Sequence, residues 1–213
     1  MPNDWKQFDT SRLQRAYARI DRAWQKAVEG YEKSEQLKIV CKEGCSACCT
    51  AGKDSTAWGD SKLSLAFSPS GAALLWQTLL SLPIKERSKI LERSRKIRIR
   101  DDLSMYQNLG ATAEYSMCPL LGDSGRCVAY NARPIFCRNF GLPVQYRLYR
   151  TDFTGSLACP KNQGHLYLSE LSSPVWVRDW LEAISDLDKV EEQESRRGGL
   201  IGLDKILEAL SVI

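Results

Sequence analysis

Histidine and long apolar segments are almost absent from this sequence. Its 213 residues include a single histidine, His165. Hydrolytic zinc sites usually draw on two or three histidines or carboxylates and keep one position open, so a histidine-rich site of that kind is excluded. No segment approaches the roughly 20 consecutive apolar residues that cross a bilayer. The sequence also contains no internal repeat and no low-complexity tract, and its composition excludes disorder and fibrous structure.

The chain also lacks a strong excess of charge. Thirty basic and 26 acidic residues leave a net charge of +4, which is too small to indicate a nucleic-acid or membrane partner. Residues 1–18 are polar and charged, without the apolar stretch of a secretory signal. We therefore expect a cytoplasmic protein with no membrane partner, and the charge argues against a nucleic-acid partner.

The remaining composition is that of a globular chain, with 43% hydrophobic and 26% charged residues. The pattern predicts one compact unit of three parts. An N-terminal amphipathic helix occupies residues 1–37, a cysteine-cluster metal-binding domain residues 38–165, and C-terminal helices packed on it residues 166–213.

Helical periodicity dominates both ends of the chain. Apolar residues recur at helical spacing from Leu13 to Tyr31, with Gly30 near the expected helix end. Further helices are expected after Ser68-Pro69, over residues 85–103, after Ser173-Pro174 and after Gly198-Gly199. Residues 144–150 alternate as a short strand that pairs near residues 153–157. The predicted fold class is mainly α, a helical shell around a loop-rich, metal-centred cysteine core with at most a short β-hairpin.

The predicted helix over residues 85–103 is strongly basic. No aromatic residues interleave with its cations, so we interpret the run as a solvated face rather than as a nucleic-acid site. Lys89 and Arg93 are assigned to that face. Replacing both together is therefore expected to have little effect on stability.

Eight cysteines are the distinctive feature of the sequence. Four of them form the run Cys41-x3-Cys45-x2-Cys48-Cys49. In helical backbone, at about 100° per residue, they would share a face about 100° wide, and a loop-to-helix conformation also brings sulfurs together. In a reducing compartment clustered thiols indicate a metal site before disulfides. Adjacent side chains diverge, so Cys48 and Cys49 seldom ligate the same ion.

The other four cysteines form a distal group, in which Cys118 and Cys159 are each followed by proline. A Cys-Pro pair recurs in ferredoxin cluster motifs. The two remaining members are Cys127 and Cys137. Which four of the eight ligate, and whether they form one site or two, stays open at this point.

Three residues near the distal cysteines are candidates for contacts around the metal centre. Arg133 and Arg138 would offset the negative charge of a thiolate cluster and donate hydrogen bonds that shift its potential. Tyr130 lies in the same run. A surface ion pair for each arginine and a core position for the tyrosine are the alternatives.

These residues resemble a known family. The cysteine run, then Cys118-Pro119-Leu120-Leu121, then Gly125-Arg126-Cys127-x2-Tyr130-x2-Arg133-Pro134-x2-Cys137-Arg138, is similar to the YkgJ-type cysteine-cluster family, the zinc- or iron-chelating CxxCxxCC domain. The resemblance covers roughly residues 38–160 and implies metal or cluster binding. Some relatives with this cysteine pattern are flagellin lysine N-methylases, which use S-adenosylmethionine.

Three functions follow as alternatives. The first is a protein carrying one [4Fe–4S] cluster on cysteine thiolates, with metal ions or cluster-delivery machinery as partners. The second is a structural zinc module for protein interaction, with four cysteine ligands, although zinc favours closely paired cysteines and the distal spacings are long. The third, implied by the resemblance, is an S-adenosylmethionine-dependent protein-lysine N-methylase with a protein substrate. Whether the chain is an enzyme stays open, and no catalytic residue can be named.

Overall fold

The fold is given by a computed structural model, which describes residues 4–35, 39, 44–46, 49, 66–106, 118–139, 145–147, 154–156 and 175–213. Its six α-helices in this described part are α1 Ser11–Glu35, α2 Pro69–Ser81, α3 Ile84–Tyr106, α4 Ile135–Asn139, α5 Val175–Gly198 and α6 Leu203–Leu210. Two short 3-10 helices, Asp4–Gln7 and Tyr130–Ala132, accompany them. The prediction of a mainly α fold is confirmed.

Helices α1 and α5 form the longest packed pair. The α1 stripe buries Leu13, Tyr17, Ile20, Ala27 and Tyr31, and α5 buries Trp180, Ala183, Ile184 and Leu187. Polar contacts along the edge run from Arg12–Gln193 to Arg19–Asp186, so the helices are antiparallel. Helix α1 continues past Gly30 to Glu35, because Tyr31 is buried there and its packing offsets the low helix propensity of glycine.

Helix α2 begins at Pro69, as the Ser68-Pro69 pair predicts. The Ser68 hydroxyl accepts a hydrogen bond from the Gly71 amide at 3.2 Å, and Pro69 occupies the first helical position. A carboxylate from α5 reinforces this end, because Glu194 accepts a hydrogen bond from the Ser70 amide at 3.1 Å. Negative charge at a helix N-terminus is favourable. The helix buries the predicted apolar face of Ala72, Leu75, Trp76 and Leu79.

Two small antiparallel strand pairs complete the described fold. The pair β2 Gln145–Arg147 and β3 Thr154–Ser156 is the predicted hairpin. The second pair, β1 Ala66–Phe67 with β4 Ile201–Gly202, goes beyond the single predicted hairpin. Two residues per strand carry no alternating pattern for a sequence to show, and β4 leads directly into α6. The predicted helix start at Ser173 and Pro174 lies outside the described residues.

The described apolar residues form one core cluster. It includes side chains of α1, α2, α5 and α6, and also Cys118, Leu120, Ala129 and Ala132 from the cysteine-rich middle of the chain. The segment that carries the distal cysteines therefore packs on the helices directly. Among the described helices, none is long and apolar enough to span a membrane.

The interpretation of α3 as a solvated face is wrong for Lys89 and Arg93. The side chain of Arg93 is only 19% exposed and that of Lys89 33% exposed. Lys89 pairs with Asp123, and Arg93 donates to the Leu121 carbonyl. The cations therefore face the distal cysteine segment, whose position relative to α3 the helical periodicity could not show.

Candidate metal centre

The first cysteine group is described at residues 44–46 and at Cys49. Gly44 has φ +88°, a left-handed conformation that glycine adopts without strain. The Cys49 amide donates to the Ser46 carbonyl at 2.8 Å. Cys45 and Cys49 are free, half-buried thiols. The predicted ligands Cys41 and Cys48 lie outside the described residues.

The distal group begins in a compact turn, residues 118–128, called here the 118–128 turn. Leu121 and Cys127 form an antiparallel bridge. Hydrogen bonds from the Gly122 amide to the Arg126 carbonyl, at 2.8 Å, and from Val128 to Leu120, at 2.9 Å, close the turn. Gly125 stands at its tip with φ +75°. Cys118 and Cys127 therefore lie near the base of one hairpin-like element.

A backbone hydrogen bond joins the two cysteine groups. The Cys118 amide donates to the Cys49 carbonyl at 2.8 Å. The Arg126 side chain also lies against Gly44, where a Cβ atom would meet its Nε at 3.7 Å. Cys118 and Cys49 are 69 positions apart in the sequence, and the fold makes their main chains neighbours. The hydrogen bond brings members of both cysteine groups together, while metal binding itself stays a prediction.

Cys137 sits on the short helix α4, beside α1. Its amide donates to the Pro134 carbonyl at 2.9 Å. On α1, burial raises the pKa of Tyr17 well above its ordinary value of 10.0. The charge of Glu191 raises this pKa further, while the charge of Arg138 lowers it. The fourth distal cysteine, Cys159, lies outside the described residues.

Arg138 is one of the most buried charged side chains in the described structure, with only 1% of its side chain exposed. Its guanidinium lies over the Tyr17 ring, 3.9 Å from the centroid, and pairs with Asp21 of α1. It also donates to the carbonyls of Arg133, at 2.9 Å, and Asn131. The guanidinium thus anchors α4, with Cys137, onto α1.

Arg133 and Tyr130 form a local pair. The Arg133 guanidinium stacks 3.4 Å from the centre of the Tyr130 ring, and its Nε donates to the Tyr130 carbonyl at 2.8 Å. Both side chains are half-buried. This arrangement fixes the backbone that enters α4, since Arg133 is also the residue whose carbonyl Arg138 binds.

Sequence reasoning missed several residues around these turns. Asp21 and Tyr17 contact the Arg138 guanidinium. The Arg126 side chain lies against Gly44. Asp123 forms ion pairs with basic side chains of α3. The hydrogen bond between Lys89 and Asp123 raises the pKa of the lysine and lowers the pKa of the aspartate. The only sequence signal was the spacing of Lys89 and Arg93, which places both on one side of α3.

Within the described ranges, no three cysteine, histidine, aspartate or glutamate side chains are grouped so that they could hold a metal ion. Five of the eight cysteines lie in these ranges, and the other three predicted ligands, Cys41, Cys48 and Cys159, lie outside them. No family model, curated protein or solved structure matches the chain. The resemblance to the cysteine-cluster family therefore stays a prediction.

Proposed function

We propose that this chain is a metal-binding protein that carries one [4Fe–4S] cluster on thiolates drawn from both cysteine groups. The observation that carries the proposal is the hydrogen bond between the Cys118 amide and the Cys49 carbonyl. It makes neighbours of two segments that each bring several thiols, and cysteine thiolates are the usual ligands of iron–sulfur clusters.

The surroundings of these thiols fit such a group chemically. Cys45, Cys49 and Cys127 are half-buried and Cys118 is buried, so a bound cluster would be partly shielded from water. Arg126 lies beside Gly44, and its positive charge would offset part of the charge of the thiolates. Cys49 and Cys118 are the members of the two groups whose adjacency supports joint ligation. A bound cluster would supply electron-transfer or Lewis-acid chemistry at its irons.

A structural zinc site is the second candidate. The 118–128 turn is held largely by backbone hydrogen bonds across a glycine-containing tip, and only part of it joins the apolar core. In small modules with that organisation, zinc–thiolate bonds can contribute roughly 10–16 kcal/mol to folding. This second proposal needs the same cysteines and no catalytic residue.

The free thiols of Cys45 and Cys49 fit a reducing compartment. We extend the proposal accordingly to a cytoplasmic location, where metal ions or cluster-delivery machinery would load the site.

The first experiment is anaerobic purification, with an absorption spectrum and iron, sulfide and zinc analysis on one sample. We expect absorption near 400 nm and about four irons with four sulfides per chain. A colourless protein with stoichiometric zinc, when iron was supplied, would select the zinc proposal. If the cluster is present, titration with S-adenosylmethionine then tests the methylase alternative, which an absence of binding would exclude.

The variant is Cys45→Ser, with Ser124→Ala, at an exposed position of the 118–128 turn, as its control. Replacing a ligand thiolate removes one metal bond and leaves the other thiolates uncompensated, so we expect metal loss and increased cleavage by protease. Full metal content and an unchanged melting temperature in Cys45→Ser would show that Cys45 is not a ligand.

A further inference from the structure

The basic helix α3 contacts the 118–128 turn through two side chains. Arg93 donates from Nη1 to the Leu121 carbonyl and lies 3.8 Å from Asp123. Lys89, one helical turn earlier, pairs with Asp123 and with Glu86, the latter at 3.2 Å. Helix α3 and the turn are therefore joined by a hydrogen bond to the Leu121 main chain and by ion pairs with the Asp123 side chain.

The carbonyl that Arg93 binds belongs to the residue that lies opposite Cys127 in the turn. Leu121 faces Cys127 in the antiparallel bridge, and its own amide donates to the Cys118 carbonyl at 3.0 Å. A shift of Leu121 would therefore shift the main chain at both cysteines. On its other side the turn is bonded to the first cysteine group, through the Cys118 amide and the Cys49 carbonyl.

The Arg93 side chain also makes a hydrogen bond within its own helix. Its Nε donates to the Lys89 carbonyl at 3.3 Å, which orients the guanidinium along α3. The neighbouring residues Ile90 and Ser94 are 0% and 5% exposed, so the helix is buried on this side. A fixed guanidinium on a buried helix face can hold a main-chain carbonyl in one place.

We propose that Arg93 and Lys89 are positioning residues that hold the 118–128 turn, and with it Cys118, against the Cys49 segment, so that thiolates of both cysteine groups can bind metal. This inference rests on the proposed metal-binding function and adds the element that aligns its two cysteine groups. Arg93 has the larger role because it binds main chain at a largely buried position. Lys89 has the smaller role because its partner Asp123 is 67% exposed, where water and salt screen the pair.

The test compares full-length variants in the metal-loaded state. Arg93→Ala removes the bond to Leu121, and Arg93→Lys keeps a positive charge but loses the planar guanidinium. Asp123→Asn removes the ion pairs of Asp123 with Lys89 and Arg93 and keeps the bond from Arg93 to the Leu121 carbonyl. Arg95→Ala is the control, since Arg95 is an exposed cation on the same helix. Metal content, absorption spectrum, rate of metal release to an added chelator and free energy of unfolding are measured for each.

We expect Arg93→Ala to release metal about 10–100-fold faster than the wild type, as loss of a supporting contact around a metal site typically does. Its thiolate-to-metal absorption bands should shift, and Arg93→Lys should recover part of both effects. Asp123→Asn should accelerate release by about two- to five-fold, and Arg95→Ala should match the wild type. The spectrum separates positioning from stability, since a purely structural role would leave the bands of the bound metal unchanged.

Each contrary outcome has a distinct meaning. Wild-type protein without metal overturns the proposed function and this inference together. Metal-loaded wild type with unchanged release and spectrum in Arg93→Ala overturns only the inference. Equal acceleration in Arg95→Ala overturns it too, because the effect would then follow from helix charge. If Arg93→Ala does not fold, the test depends on Asp123→Asn and Arg93→Lys. Metal-release rates and spectra equal to those of the wild type in both variants would then overturn the inference.

Discussion

The helical frame, meaning α1, α2, α5 and α6, and the cysteine-bearing turns are stabilised in different ways. In the frame, side chains such as Leu75, Leu187 and Leu203 are 0% exposed, and apolar burial supplies most of the stabilisation. At the turns, main-chain hydrogen bonds and contacts from Arg93, Arg126 and Arg138 provide the connections. The frame is therefore held mainly by apolar burial. The turns contribute Cys118, Leu120, Ala129 and Ala132 to the same core, but they also depend on polar contacts from elsewhere in the fold.

The largest expected effect is in the frame. Leu75→Ala removes a fully buried side chain from α2 and should lower the free energy of unfolding by about 2–5 kcal/mol. Chemical denaturation of the metal-free and metal-loaded proteins measures it, and the loss should be the same in both. Leu80→Ala is the control on the same helix, because Leu80 is 37% exposed, and it should change stability by less than about 0.5 kcal/mol. A loss only in the metal-loaded protein would contradict the separation of the two regions.

Removing the metal should affect the turns and spare the frame. A ligand present at about 100 times its Kd stabilises what it binds by about 2.7 kcal/mol, which corresponds to about 100-fold slower local opening. Chelation should therefore accelerate amide hydrogen exchange by about that factor at Cys49, Cys118 and Val128. The measurement is exchange followed by mass spectrometry, with α1 and α5 amides as the internal control. Equal acceleration in α5 would show that the metal stabilises the whole chain instead.

Two arginine–aspartate ion pairs that involve α1, one with a buried arginine and one exposed, allow a further comparison of stability. Arg138→Leu leaves the carbonyls of Arg133 and Asn131 without their buried donor, so we expect a loss of about 1–3 kcal/mol. Arg19→Leu breaks the pair with Asp186, whose members are 51% and 46% exposed, and should cost at most about 1 kcal/mol. Urea unfolding of both variants gives the values. Equal losses would mean that burial of Arg138 adds nothing to the anchoring of α4.

The predictable parts of the fold were those encoded locally. The Ser68-Pro69 start of α2 and the strands at residues 145–147 and 154–156 depend on neighbours a few positions away, so sequence pattern was sufficient. The β1–β4 pair joins Phe67 to Ile201, and nothing in two short strands identifies a partner so distant. The length of α1 beyond Gly30 likewise depended on tertiary burial of Tyr31.

The candidate site shows the same division. The cysteines could be named as candidate ligands from their residue type and, in the first group, from their close spacing, and their ligation of a metal stays a prediction. The roles of the cations could not be named in this way, since Arg138 reaches Asp21 and Arg93 reaches Leu121 across long sequence separations. A helix pattern shows which side chains share a face, and only the fold shows what that face meets.

The pairing of α1 with α5 has a consequence for the growing chain on the ribosome. About 140 residues separate the end of α1 from the start of α5, which at ~5–20 residues per second is about 7–28 seconds of translation. All eight cysteines precede α5 in the sequence. The thiols therefore leave the ribosome while α1 still lacks its α5 partner, so the nascent chain presents its sulfur atoms before the longest helix pair can close.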